Sequence, residues 1–375
     1  MDSTLVLQGF FAHGGGGAAD DALPPLTTHT ALTQWEFAPV VTAFVAVAAV
    51  LYLYGVWRVR REHPVRPWSM WRTALFFAGL GVIIIATQSS VGAYDDVLFF
   101  MHMWQHLLLL MVAPPLLLSG QPVTLLLHAS HNPLHSWVKR IVRSGPISAI
   151  TFPMVGVGIY IVTVVGTHLT SFMNLTLEHA YVHQSEHVLY LVAGYLYFLP
   201  LIGHEPIRWR LSYPAQLFLF VIAMPVDTFT GLVLMQTTKE MFPAYAGRRD
   251  WGPSLVSDLH SGGAVMWIGG DAIMLVLILL LFAGVLTTRS KVDAGRWVEG
   301  VRARRFNELA VTGLPHAHSD GAGAAADGVF AQGADGAAGS EALADIDDDE
   351  RQFQAYNAYL ARLNGEHGPT AGRPR

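Results

Sequence analysis

Apolar residues in this chain come in long runs rather than in alternation, and each run is closed by charge, proline or glycine. A helix needs about 20 such residues to cross the hydrocarbon core of a bilayer. The pattern predicts seven spans, at about 37–57, 73–92, 97–119, 147–166, 185–202, 214–235 and 260–286. The first is stopped by Arg58-Val59-Arg60-Arg61 and the second by Asp95-Asp96. The third opens on His102-Met103-Trp104-Gln105-His106 and carries Pro114-Pro115 toward its far end. Two polar loops are predicted, 128–144 with His128, His131 and His135, and 167–184 with His168, Glu178, His179 and His183. Pro114-Pro115 and Pro225 predict kinks, and Gly269-Gly270 beside Asp271 is compatible with a helix break.

The expected fold class is therefore all-α: a polytopic membrane bundle of seven transmembrane helices over 37–288. Before it, 1–36 reads as a flexible, translocated segment without Lys or Arg. After it, 289–312 is basic, and 313–375 is a disordered acidic tail with one amphipathic stretch at 351–363. The loops 58–72, 139–143 and 208–210 and the segment after 289 hold most of the Lys and Arg. The positive-inside rule then puts the N-terminus outside and the C-terminus in the cytoplasm. The 236–259 loop, with Lys239, Arg248 and Arg249, departs from that asymmetry. No basic stretch leads directly into an apolar core at the N-terminus, so no cleavable signal peptide is expected.

Composition supports the membrane reading: of 375 residues, 52% are hydrophobic and 14% charged, against about 25% charged in a soluble domain. The net charge of -5 misleads, because residues 313–350 hold nine acidic and no basic side chains; without them the balance is +4. Nucleic acid is thus no expected partner, whereas the lipid bilayer is. The absence of cysteine excludes disulfides, thiolate metal sites and thiol catalysis.

Histidine changes the picture most. His102 and His106 share a helical face by their i, i+4 spacing, as do His183 and His187. With His260 they fall at the same predicted depth of the outer leaflet. Ionisable residues in spans are costly and normally face a partner, a cavity or a metal. Convergent imidazoles from several helices can hold a metal ion, copper with His and Met, or zinc with His and a carboxylate. The expected core is His102, His106 and His187, with His183 and His260 as further ligands and Gln105, Glu186 and Asp258 as orienting partners. Taken singly, each histidine is more often a hydrogen-bonded structural residue, and His128, His131 and His135 read as surface residues. Asp227 and Asp271, inside their spans, fit either a proton shuttle or a structural role.

These stretches resemble the seven-helix CtaG family of cytochrome c oxidase assembly factors. The likeness rests on His102-Met103-Trp104-Gln105-His106 leading to Val112-Ala113-Pro114-Pro115, on Glu186-His187 with Pro200-Leu201, and on Asp258-Leu259-His260-Ser261-Gly262-Gly263. It covers roughly 37–288. Family members often carry Gln where His260 stands and Pro-Gly where Gly269-Gly270-Asp271 stands. The resemblance implies a non-enzymatic, actinobacterial-style plasma-membrane protein supporting haem–copper oxidase assembly, with copper delivery as the commonly inferred role. Its implied partners are oxidase subunits and an extracytoplasmic copper donor. A single-span, cysteine-dependent copper chaperone shares the family name and is excluded by composition. Two other functions fit the histidines: a copper transporter, which needs ligands continuing inward, and a redox protein with haem between His106 and His187.

Overall fold

A computed structural model describes residues 23–284, apart from 63, 65, 66, 204 and 210. The expectations for 1–22, the basic segment after 289, the acidic tail and the helix at 351–363 lie outside the described residues. Within them the architecture is all-helical. The helices that build the site are α1 (Pro39–Glu62), α2 (Met70–Gln88), α3 (Phe99–Leu107), α4 (Ala113–Ser119), α5 (Pro122–Ala129), α6 (Leu134–Val142), α7 (Pro153–His168), α8 (Phe172–Glu178), α9 (Ala180–Ile202), α10 (Tyr213–Gln236) and α11 (Leu255–Ala264). Six helices are long and apolar enough to cross a membrane, and a seventh span results if the bent pair α7–α8 is counted as one. Proline at the first or second position of α5, α7 and α10 costs no hydrogen bond there. Ser254 opens α11 by accepting from the Ser257 N–H.

The third span sits in the middle. Of its most apolar window, 61% is buried, against 17% for the first and last spans, which ring the bundle. It runs from α3 through a widened π turn at Leu108–Val112 into α4, and α2, α9 and α11 pack along it. The π turn has a clear cause. Pro114 and Pro115 have no N–H to give to carbonyls one turn back, and the Ala113 N–H reaches the Leu108 oxygen instead. Gly194 of α9 fits against the Leu110 carbonyl, where a Cβ would collide with backbone. Gly231 and Gly263 bring α10 and α11 together in the same way, with a Cβ on Gly231 reaching 2.6 Å from the Gly263 oxygen. Small residues at such crossings allow the close approach that drives helix association in lipid.

Three expectations are corrected. The 167–184 segment is no loop: α7 continues through His168, and a 71° bend leads into α8. Thr167, His168, Thr176 and His183 are all buried as a result. The 128–144 loop is largely helical, with α6 lying at the basic end. The last span does not break at Gly269-Gly270; it passes through a second π turn, Val265–Gly269, and runs on to Gly284.

Two buried carboxylates hold the bundle's ends. Asp258 accepts from the N–H groups of Phe99 (2.9 Å) and Phe100 (3.1 Å) and pairs with Arg249 at 3.1 Å. It thereby caps the helix that carries His102. At the opposite end Glu205 accepts from Val123 N–H (3.0 Å), Thr124 N–H (2.8 Å) and the Thr124 hydroxyl (2.7 Å), capping α5. Within the spans, Asp227 takes the Tyr160 hydroxyl at 2.6 Å and Asp271 the Thr228 hydroxyl at 3.0 Å.

Candidate metal centre

α3 and α9 bring their i, i+4 residues face to face. The Glu186 carboxylate lies between the two histidines of α3: His102 Nε2 is 3.4 Å from one oxygen and His106 Nε2 3.5 Å from the other. The two rings stand edge to face, centroids 4.3 Å apart. His102 and Glu186 are 0% exposed and His106 3%. One ligand atom from each of the three lies within 4.8 Å of the others. Both nitrogens of His102, Nε2 of His106 and both oxygens of Glu186 are buried without a hydrogen bond. Glu186 thus stands among the histidines as a third potential ligand rather than behind them.

A second triad adjoins the first. Asp95, His102 and His183 also place one ligand atom each within 4.8 Å of one another. His183 Nε2 is 3.5 Å from Asp95, and its Nδ1 is 3.5 Å from the more exposed Asp96. Burial, and then the neighbouring Asp96 charge, push the Asp95 carboxyl well above the usual carboxylate range. Gln105 fixes the position of Asp95. Its amide N–H groups donate to Asp95 (2.5 Å) and to the Ala86 carbonyl (3.0 Å), and its oxygen accepts from His187 Nε2 at 2.9 Å.

His168, which the hydrophobic pattern put in a polar loop, is 1% exposed and completes the surroundings. Its Nδ1–H donates to the Val164 carbonyl at 2.8 Å, leaving Nε2 to accept from His106 Nδ1–H at 3.3 Å. That assignment of protons turns the lone pair of His106 Nε2 toward Glu186, the arrangement a metal-ligating imidazole needs. Tyr190 stacks on His106 at 3.7 Å and meets the Thr167 hydroxyl at 2.5 Å. Below the centre, a small cavity with room for about one water molecule is lined by Met103, His106, His168, Tyr190, Asp227 and Met266, among others.

Of the residues singled out from sequence, His102, His106, His183 and Glu186 come together in this way. His187 is adjacent, its ring centroid 4.6 Å from that of His183; its Nε2 is engaged by Gln105, while its Nδ1 is buried without a hydrogen bond. His260 stands apart, donating from Nε2 to the Thr237 carbonyl at 2.8 Å. Asp258 holds a helix end, as described above. Asp95 and His168 were missed. The first was read as a stop signal, and the second followed a run whose helix was taken to end too early. His128, His131 and His135 enter neither triad.

Comparison with known proteins places this architecture. Uncharacterized proteins of Mycobacterium leprae and Mycobacterium bovis are each 26% identical, over 260 and 266 residues, or 67% and 68% of this chain. These matches cover 39% and 40% of the relatives, so the chain spans about two fifths of their length. No solved structure matches it. Residues 50–288, which include every residue of both triads, match the family described as cytochrome c oxidase caa3 assembly factor, Caa3_CtaG. The chain belongs to that family.

Proposed function

We propose that this protein holds one copper ion as cargo at the His102–His106–Glu186 centre, on the outward side of the plasma membrane, and supports metallation of a cytochrome c oxidase subunit. It takes the metal from an extracytoplasmic donor and catalyses no reaction of its own. One observation carries this reading: five potential ligand atoms are buried together without hydrogen bonds. Leaving such atoms unsatisfied costs about 1–3 kcal/mol each, and a cation would satisfy them together. Two imidazoles and a carboxylate suit zinc as well as copper. The thioethers of Met103 and Met266 beside the centre, and the family's link to oxidase assembly, favour copper. The Lys and Arg asymmetry supports the outward orientation, with the Asp95 end outside.

The test is metal analysis of the full chain purified in detergent, wild type against the His102→Ala/His106→Ala double variant. The expected result is about one copper per wild-type chain and a large loss in the variant. In cells, the variant should leave oxidase polypeptide present with low activity, partly restored by added copper. Full copper content and normal oxidase activity in the double variant would refute the reading. Transport is a second reading, for which the one observation is that His106 and Asp227 line the same small cavity. Copper uptake into proteoliposomes would establish it, and a copper-loaded protein without uptake would exclude it. Haem is not carried further, since His106 lies flat against Tyr190 and His187 is turned to Gln105.

A further inference from the structure

We propose that Asp95, His102 and His183 form a second, outer position for the same cation, and that the ion passes between it and the His102–His106–Glu186 position with His102 common to both. This inference rests on the copper-binding reading above and adds a route to it. The first support is geometric. Both triads bring their ligand atoms within 4.8 Å, and His102 is a member of each. Its ring is edge-on to His106 at 4.3 Å and parallel to His183 at 5.3 Å, so it stands between the two. Neither of its nitrogens is taken by a protein hydrogen bond.

The second support is position. Glu186 is 0% exposed and lies one turn inward from His183 on α9. Asp95 lies between the second and third spans, at the end of the bundle, next to Asp96, whose side chain is 19% exposed and reaches His183 Nδ1. Through Asp96 the outer triad lies closer to water than Glu186 does, one turn deeper on α9. An ion going straight from water to Glu186 would shed its hydration shell in one step. With the outer triad, oxygen and nitrogen ligands replace water in stages.

The third support is the matching ligand set. Each triad offers two imidazoles and one carboxyl group, so a cation exchanges like ligands for like in passing between them. A neutral imidazole has one lone pair. His102 can thus serve one ion at a time, which makes the triads successive positions rather than a two-ion centre.

The experiment follows copper(I) binding to the full chain in detergent by stopped flow, with a chromophoric copper(I) chelator as competitor. Asp95→Asn and His183→Gln are compared with Glu186→Gln and wild type, each checked for a single folded species by size exclusion. The expected result in the two outer variants is that loading and release both slow, by about ten-fold or more, so their ratio moves far less than either rate. Glu186→Gln should instead raise the dissociation constant, mainly through faster release. If Asp95→Asn does not fold, His183→Gln decides. Outer variants with wild-type rates, or with the signature of Glu186→Gln, overturn the proposal, as does a stoichiometry of two ions per wild-type chain. Those outcomes leave the copper-binding reading standing. Wild-type protein that binds no copper removes both.

Discussion

Glu186→Gln is the sharpest single perturbation of the centre, because it removes the charge while keeping the shape. In the metal-free protein the amide can still meet His102 Nε2 and His106 Nε2, now 3.4 and 3.5 Å from the carboxylate oxygens. Its effect on metal-free stability should therefore stay within about 1 kcal/mol. The metal-bound state loses its one anionic ligand at a 0% exposed position. A weakening of about 100-fold is expected, the upper end for loss of a supporting interaction at a metal site. Ligand held at 100 times the wild-type Kd stabilises the native state by about 2.7 kcal/mol, and the same concentration would then stabilise the variant by only about 0.4 kcal/mol. The difference, about 2.3 kcal/mol, corresponds to roughly 5–9 °C of lost copper-induced Tm shift for a domain of this size. Thermal unfolding in detergent, with and without copper(I), reads it directly. A variant that keeps the full copper-induced shift would refute the assignment of Glu186 as a ligand, whatever the metal content of the histidine variants.

Asp258→Ala should lower Tm, by about 2–5 kcal/mol equivalent, through loss of the cap on α3 and an unpaired buried Arg249. Copper stoichiometry measured in the folded fraction should persist, and loss of metal there would return Asp258 to the centre. Burial holds the Glu205 carboxyl above its ordinary value of 4.5, outweighing the downward pull of Thr124 and Val123. The folded chain therefore binds that proton more tightly than the unfolded chain, so stability should fall as pH rises from about 4.5 through the folded value. Glu205→Gln should flatten that slope in denaturation scans, and an unchanged slope would assign it to other groups. For topology, cysteines placed at exposed Thr170 and at Ser319 of this cysteine-free chain should differ toward an impermeant reagent, with Thr170 labelled in intact cells and Ser319 not. The reverse pattern would turn the site to the cytoplasm.

The spans were legible because each is a run of apolar residues, and the histidine pairs were legible because i, i+4 spacing is a property of one helix. What joins helices laterally was not. His168 follows an apolar run and precedes polar residues, so hydropathy alone ends the span too early; the bend into α8 and the packing around it, which bury His168, are not written in hydropathy. Asp95 reads as a stop signal because a carboxylate at a span end normally meets water. Gln105 instead holds it inside. His187 and His260 have the right spacing and predicted depth, but sequence could not place the oxygens that their Nε2–H groups meet, Gln105 in one case, with His187 Nδ1 left unbonded, and the Thr237 carbonyl in the other.

The π turn at Leu108–Val112 has a consequence for how the third span is divided. One extra residue in a turn shifts the phase of the helix by about 100°. The stripe through His102 and His106 is therefore out of register with the stripe that continues through Leu117 and Leu118 below. The two halves of the span are independently oriented: the upper packs on α11 and presents His102 and His106 to Glu186, and the lower packs on α2 and α9. Deleting one residue within Leu108–Val112 would restore a continuous helix and swing the imidazoles away from Glu186 while every side chain of the centre remained in the sequence.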